Sequence, residues 1–310
     1  MDKNKLIQDF YEKLGTEGYK GKIVSAKYIP ELQESIKKFH EKKLLDPDFY
    51  EEYKDYFEFQ PEAKFGEIKS LFIITIPQPQ YRVIFHWNKS EVPLIIPPTY
   101  LHSRAVIDKA EAFLTEILKP YGYSAEFALL PQKTLAVRVG LAEYGRNNIT
   151  YVQGMGSFHR PSTFYSDFPY DQGDWKELRM MDFCKECSAC IRSCPTGTIT
   201  SDRFLIHVER CLTFHNEHPA DVPFPDWIDP SWHNCLVGCM YCQKVCPANK
   251  KVMNWVEQGP TFTEEETKLL LSGKNVDELP EETRKKIEKH TLGNYLYVYP
   301  RNLGVILKRY

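Results

Sequence analysis

Hydrophobic positions run in two rhythms through the first half of the chain. Leu6, Ile7, Phe10, Tyr11 and Leu14 recur at helical spacing and predict a helix over residues 2–16. Residues 22–29 read as a strand ended by Pro30, and Leu32, Ile36 and Phe39 mark a second helix. Residues 50–65 are rich in Tyr and Phe without a clean period, which predicts a loop with a short helix. The unbroken apolar run from Leu71 to Ile76 predicts a strand buried on both faces, stopped by Pro77. Tyr81 to Trp87 predicts another strand, followed by a proline-punctuated loop as far as Pro98. Val106, Ala110, Phe113, Leu114 and Ile117 predict an amphipathic helix over 103–118, closed by Pro120. Strands and helices alternate to about residue 150, so helices layered on a sheet are expected.

Further on the rhythm thins. Residues 133–141 predict a helix. Gly140 and Gly145 then bracket a tight turn leading to an apolar strand. That turn lacks the Lys-Ser/Thr of a phosphate loop, and no Rossmann fingerprint is present. Residues 156–182 predict an aromatic, polar loop. Helical pattern returns at Phe262-Thr-Glu-Glu-Glu, which reads as a capping box, at Pro280, and from Tyr299 to the end. The expected class is α/β (α+β): an α/β cofactor and substrate domain over 1–180, a cysteine domain over 181–252, and a helical segment over 253–310 packing back on the core.

Composition narrows the class. The chain has 310 residues, 42% of them hydrophobic, enough for a sizeable core. A net charge of −2 is far from a basic nucleic-acid footprint. No apolar run approaches a membrane span, and the first residues lack the apolar stretch of a signal peptide. A soluble, cytoplasmic protein is expected. A reducing compartment suits free thiolates.

The cysteines carry the strongest signal. All nine lie between Cys184 and Cys246. Cys184-Lys-Glu-Cys187-Ser-Ala-Cys190-Ile-Arg-Ser-Cys194-Pro195 is the C-x2-C-x2-C-x3-C-P run of two-cluster ferredoxins. Cys239-Met-Tyr-Cys242-Gln-Lys-Val-Cys246-Pro247 repeats it without the first cysteine. Three thiolates at this spacing fold round one cubane, and the cysteine before proline ligates the other cluster. The spacing therefore predicts two [4Fe–4S] clusters. Cys184, Cys187, Cys190 and Cys246 hold cluster A. Cys194, Cys239 and Cys242 hold cluster B, with Cys211 or Cys235 as its last ligand. Cys235 misses the ideal first position by one residue, which favours Cys211. Structural zinc uses separated cysteine pairs instead, and disulfides need an oxidising compartment.

Two such clusters move single electrons. A plain carrier needs only the cysteine stretch, yet roughly 180 residues precede it, a domain's worth. That points to an enzyme whose clusters feed a cofactor. A two-cluster carrier with a partner-docking domain is the alternative. His102, His159, His215, His218 and His233 lie near these segments, and surface or hydrogen-bonding roles are expected for them.

At this point the sequence resembles the epoxyqueuosine reductases. The carriers of the resemblance are Gly140-Leu-Ala-Glu-Tyr-Gly145-Arg-Asn-Asn148, Gly156-Ser157, Cys194-Pro-Thr-Gly-Thr-Ile, Arg210-Cys211-Leu-Thr, Val245-Cys246-Pro-Ala-Asn249 and Pro300-Arg-Asn-Leu303. It covers the chain from about residue 65 onward. The family's Arg-Cys motif again favours Cys211. The resemblance implies a nitroreductase-like cofactor domain binding cobalamin, a chemistry shared with the related reductive dehalogenases. It implies clusters that reduce the cobalt, and a small organic or modified-nucleoside substrate. FMN in the same domain is the alternative cofactor. The implied electron donor is a low-potential carrier such as ferredoxin or flavodoxin. Gly140, Tyr144, Gly145, Arg146, Asn147, Gly156 and Ser157 would line the cofactor pocket, and Glu126 would stand at the proton donor's position. Ala142 and Arg146 depart from the family's Gly and Lys. The slight acidity, and the absence of an added helical-repeat region, weigh against tRNA as partner; no membrane partner is expected.

Overall fold

The computed structural model describes residues 3–310, so Asp2 of the first expected helix lies outside the described residues. The strands, in chain order, are β1 Lys20–Ser25, β2 Ser70–Pro77, β3 Gln80–Trp87, β4 Ser90–Ile96, β5 Ala125–Phe127, β6 Glu143–Tyr144, β7 Thr150–Tyr151, β8 His159–Ser166 and β9 Val256–Phe262. The chain forms two compact units that interleave along the sequence. The first comprises the residues up to Gln78, Ser103–Cys187 and Ser201–Ile206. The second comprises Pro79–His102, Ser188–Thr200 and His207–Tyr310.

The first unit is built on an antiparallel sheet of order β1-β2-β8-β5. Side chains alternate across β2. Phe72, Ile74 and Ile76 face a core with Leu6, Phe10 and Leu14 of helix Lys3–Glu17 and Val106, Ala110, Phe113 and Leu114 of helix Ser103–Leu118. Leu71 and Ile73 face the opposite core, with Leu32 of helix Ile29–Glu41 and Leu135, Ala136 and Val137 of helix Gln132–Arg138. Both faces are covered, which is why β2 reads as a continuous apolar run. The expected layers of helix on sheet are present.

In two places this unit departs from the sequence pattern. The strand read over 22–29 ends at Ser25, and Pro30 starts the next helix at a position where its missing N–H costs nothing. Residues 156–182, read as loop, contain the inner strand β8. Its polar run Arg160-Pro-Ser-Thr hid it. Pro161 is tolerated because β5 pairs only with residues 164–166, leaving β2 as the strand paired with it there.

The second unit has a mixed sheet of order β4-β3-β9, with β3–β4 antiparallel and β3–β9 parallel. The proline-punctuated loop after Trp87 contains the edge strand β4; an edge position accommodates Pro93. Val83, Phe85 and Phe262 pack with Leu270, Ile287, Leu303 and Ile306 from helices Glu264–Leu271, Glu281–Lys289 and Tyr299–Leu307. The capping box at Thr263 and Glu266 is formed in both directions, at 3.2 and 2.8 Å.

The last helix does more than fill the core. Arg301 donates to the carbonyls of His215 and His218 at 2.8 Å each, and to those of Pro219 and Val222, while its guanidinium lies 4.0 Å from the Phe224 ring. Fully buried Asn302 donates to the carbonyls of Asn216 (2.8 Å) and Leu236 (3.0 Å). The Arg-Asn pair therefore holds the irregular segment 215–224 in place. Asn302→Ala leaves two buried carbonyls unpaired and should cost about 2–4 kcal/mol. A urea midpoint within error of the parent chain would remove this role.

Candidate metal centre

Five of the nine cysteines, all in the second unit, form one neighbourhood or border on it. Cys194 follows helix Ala189–Ser193, Cys211 caps helix Leu212–Glu217, and Cys239 precedes helix Tyr241–Lys244, which carries Cys242. Those first and last helices pack together, with Ser193 Oγ donating to Tyr241 O at 3.0 Å. The helices leading to Cys194 and carrying Cys242 thus lie side by side. Cys211 and Cys239 each stand close enough to Cys194 and to one another for their charges to interact. Cys235 stands close enough to Cys239 for their charges to interact; it is fully buried and bridged to Ile95 of β4. Burial pushes the Cys211 and Cys235 thiols up, and raises Cys239 to about 12.

The donor set suits a cluster. All nine cysteines are free of disulfides. Main-chain N–H groups of Thr213 and Phe214 point at Cys211 sulfur, and that of Tyr241 at Cys239 sulfur. The buried Asn234 amide lacks an ordinary partner and stands beside Cys239 sulfur; both ring nitrogens of buried His233 also lack a partner. The Asn234 N–H and these main-chain N–H groups fit a buried, sulfide-bearing anion. Among the described residues no three His, Cys, Asp or Glu side chains converge on one ion-sized point. A cubane, ligated at its corners, asks for a wider ring. Of the remaining cysteines, Cys184 and Cys187 fall in the first unit and Cys190 and Cys246 in the second. Asn249, fully buried, closes the turn after Cys246 by donating to Gln243 O at 3.0 Å.

The segment 140–157 lies in the first unit, and its side chains are spent on the protein. β6 and β7 form a small hairpin round Gly145. A Cβ at Gly145 would sit 2.5 Å from Asn147 Oδ1 and 2.6 Å from the Tyr151 ring, so close approach demands glycine there. Gly140 takes a left-handed φ of +68°, and Gly156 one of +56° at the end of the 152–156 turn. Tyr144, raised to about 12 by burial, shares a hydrogen bond with Thr134 at 3.1 Å, and its main chain pairs with Arg179 and Met181. Buried Arg146 donates to Cys184 O at 2.6 and 3.2 Å and to Ser201 O at 3.3 Å. Asn147 donates to Tyr151 Oη at 3.0 Å. Ser157 is buried.

Asn148, which the sequence reading left without a role, holds the other strap of this unit. It donates to Phe204 O at 2.8 Å and accepts from Ile206 N at 2.6 Å. Its left-handed φ of +55° is a conformation Asn tolerates, and that was the available signal. The turn is thus a clamp on residues 179–184 and 201–206. Glu126 stands apart on β5, accepting from Lys64 N at 3.1 Å.

The histidines are structural where the geometry is clear. His159 Nδ1 bonds Thr75 Oγ1 at 2.6 Å and Nε2 faces Thr150 O at 3.1 Å, so the neutral ring carries its proton on Nε2. His215 Nε2 likewise faces Glu209 O at 2.9 Å.

Comparison with known proteins bears on the cysteine stretch and on the fold. Residues 183–249 match the family model described as 4Fe-4S double cluster binding domain, so the chain carries an iron–sulfur domain of the two-cluster kind. In sequence and in fold it resembles the epoxyqueuosine reductases. It is 30% identical over 150 residues to the epoxyqueuosine reductase of Cyclobacterium marinum, covering 46% of each chain. It is 26% identical over 190 residues to that of Cellulophaga algicola, covering 58% of this chain and 57% of the relative. The matched stretch thus spans little more than half of such relatives, or less. The solved epoxyqueuosine reductase of Bacillus subtilis superposes with a TM-score of 0.67 at 19% identity, over 99% of this chain and 81% of that one. An epoxyqueuosine reductase solved with an epoxyqueuosine-modified tRNA-Tyr stem loop also gives 0.67, at 18% identity over the same shares. Among the described residues no helix is long and apolar enough to cross a membrane.

His159 supplies a test of the sheet beside the clamp. Burial lowers its folded pKa from 6.5 to about 4. Between those values the unfolded chain binds the extra proton, so stability is full above pH 6.5 and falls as pH drops through the window. The loss amounts to roughly 3 kcal/mol. His159→Gln should flatten the fall in denaturation midpoint between pH 6.5 and 4, and an unchanged slope would refute it.

Proposed function

We propose that the chain is an oxidoreductase of the epoxyqueuosine reductase type, whose two [4Fe–4S] clusters pass electrons towards reduction of a modified nucleoside or small organic molecule. The observation that carries this reading is the shared neighbourhood of Cys194, Cys211 and Cys239, with main-chain N–H groups aimed at two of their sulfurs. Cluster B takes those three and Cys242. Cluster A takes Cys184, Cys187, Cys190 and Cys246, a set that rests on spacing. The clusters, once bound, supply single-electron transfer. The protein supplies burial, thiolate ligands and N–H donors, which together set the potential. The epoxyqueuosine-modified tRNA stem loop bound by a protein of the same fold supports a modified nucleoside as substrate and reopens tRNA as a partner.

The cofactor proposed for this reductase is cobalamin, on the strength of the family resemblance. Tyr144, Arg146 and Asn147 do not fit the part of pocket lining. Their polar atoms are engaged by Thr134, Cys184, Ser201 and Tyr151, which leaves those side-chain groups committed to the protein rather than to a corrinoid. No observation favours flavin. Glu126 remains the proposed proton donor by position.

Anaerobic reconstitution with iron and sulfide, with and without cobalamin, tests the reading. About eight irons per chain and a retained corrinoid support it. Eight irons without corrinoid leave a two-cluster carrier, and zinc in place of iron sinks it. Cys211→Ser should cut iron from about eight to about four per chain, whereas Cys235→Ala should keep the full complement. The reverse pattern would exchange their roles. Glu126→Gln should slow turnover on the order of 100-fold or more while iron content and EPR spectra stay as in the parent. Parent-like turnover would acquit Glu126.

A further inference from the structure

We propose that the exposed face around Cys246 is the docking surface for an acidic single-electron-carrier protein, a proposal that rests on the iron–sulfur reading above. Arg192, Lys244, Lys250 and Lys251 are all exposed, on or beside the two cysteine runs. Neither Ser188–Thr200 nor residues 230–256 contain a single Asp or Glu, although the chain as a whole has more acid than base. Ordinary solvated stretches mix the two signs; these two do not, and exposed acid resumes at Asp229 and Glu257 on either side of the second. Its helices are neighbours through the Ser193–Tyr241 hydrogen bond, and Asn249 folds residues 247–253 back onto the second of them.

The face is not only basic. Val245 is 42% exposed and Trp255 37%, and Pro247 is exposed between them. Apolar residues ringed by charge are what a small, transient electron-transfer interface uses. Charge steers the encounter, and a modest contact area lets the partner leave. Val245 and Pro247 flank Cys246 directly, and Cys242 and Cys246 are themselves half-buried rather than sealed. Proximity to a cluster cysteine serves a carrier, which must bring its redox centre near. A nucleic acid gains nothing from it, so the carrier is the favoured occupant. In the step itself the carrier's reduced centre gives up one electron and is oxidised, and an oxidised cluster accepts it and is reduced. No bond or proton moves.

The test uses the full chain with reconstituted clusters and the Lys244→Glu/Lys250→Glu/Lys251→Glu variant. Iron content and the EPR spectrum after dithionite reduction come first. Parent and variant both lacking iron would mean that the iron–sulfur reading has failed and this proposal with it. With clusters present, stopped-flow bleaching by reduced flavodoxin is followed against ionic strength. The expected result is at least a ten-fold lower second-order rate for the variant at low salt, a gap that closes at high salt, and unchanged reduction by dithionite. The Lys→Arg triple variant should keep the parent rate. An unchanged flavodoxin rate overturns the proposal. Should binding of a tRNA anticodon stem loop fall instead, the face belongs to nucleic acid.

Discussion

Much of this chain has no helix or sheet ladder to pair its main-chain groups, and buried carbonyls left unpaired are costly. Four side chains meet that constraint. Arg146 and Asn148 satisfy carbonyls and an N–H in residues 184–206 of the first unit. Arg301 and Asn302 satisfy six carbonyls in the second, five of them in residues 215–222. Arg suits the task because its planar fork offers five donors in fixed directions, and Asn because it donates and accepts at once. The irregular segments beside the cysteines are ordered by these clamps, and metal chemistry has a fixed frame to work in.

The second constraint is burial of thiols. Cys211 and Cys239 sit where burial favours the neutral thiol, Cys239 to about 12. Left bare, such groups gain nothing from burial as thiolates. A bound iron–sulfur cluster changes the balance, because a coordinating thiol is deprotonated by the metal's own charge. The Asn234 amide N–H, and N–H groups at Thr213, Phe214 and Tyr241, then have an anion to face. The polar groups that a purely structural reading would count as faults belong together in this account.

Legibility varied along the chain for physical reasons. The helix over Ser103–Leu118 and the strand β2 were plain, because each has a strong period or an unbroken apolar run. β8 and β4 were not. Proline and polar residues inside them look like loop, and only the pairing partners show why they are tolerated. The motif residues Arg146 and Asn147 resemble pocket lining in sequence, yet Arg146 holds the carbonyls of Cys184 and Ser201 and Asn147 closes the turn onto Tyr151. A motif records that a residue is needed without recording what it touches.

By itself the sequence determined the two cysteine runs and the double-cluster class they belong to, because that signature is a matter of local spacing. It also determined the helices and the buried central strand, because periodicity is local too. Only the tertiary structure brought Cys211, far from both runs in its spacing, into the neighbourhood of Cys194 and Cys239. It alone drew the β3–β4 hairpin into the unit that carries the C-terminal helices. Those are outcomes of which distant segments pack together, and packing between segments far apart in the chain leaves no period to read.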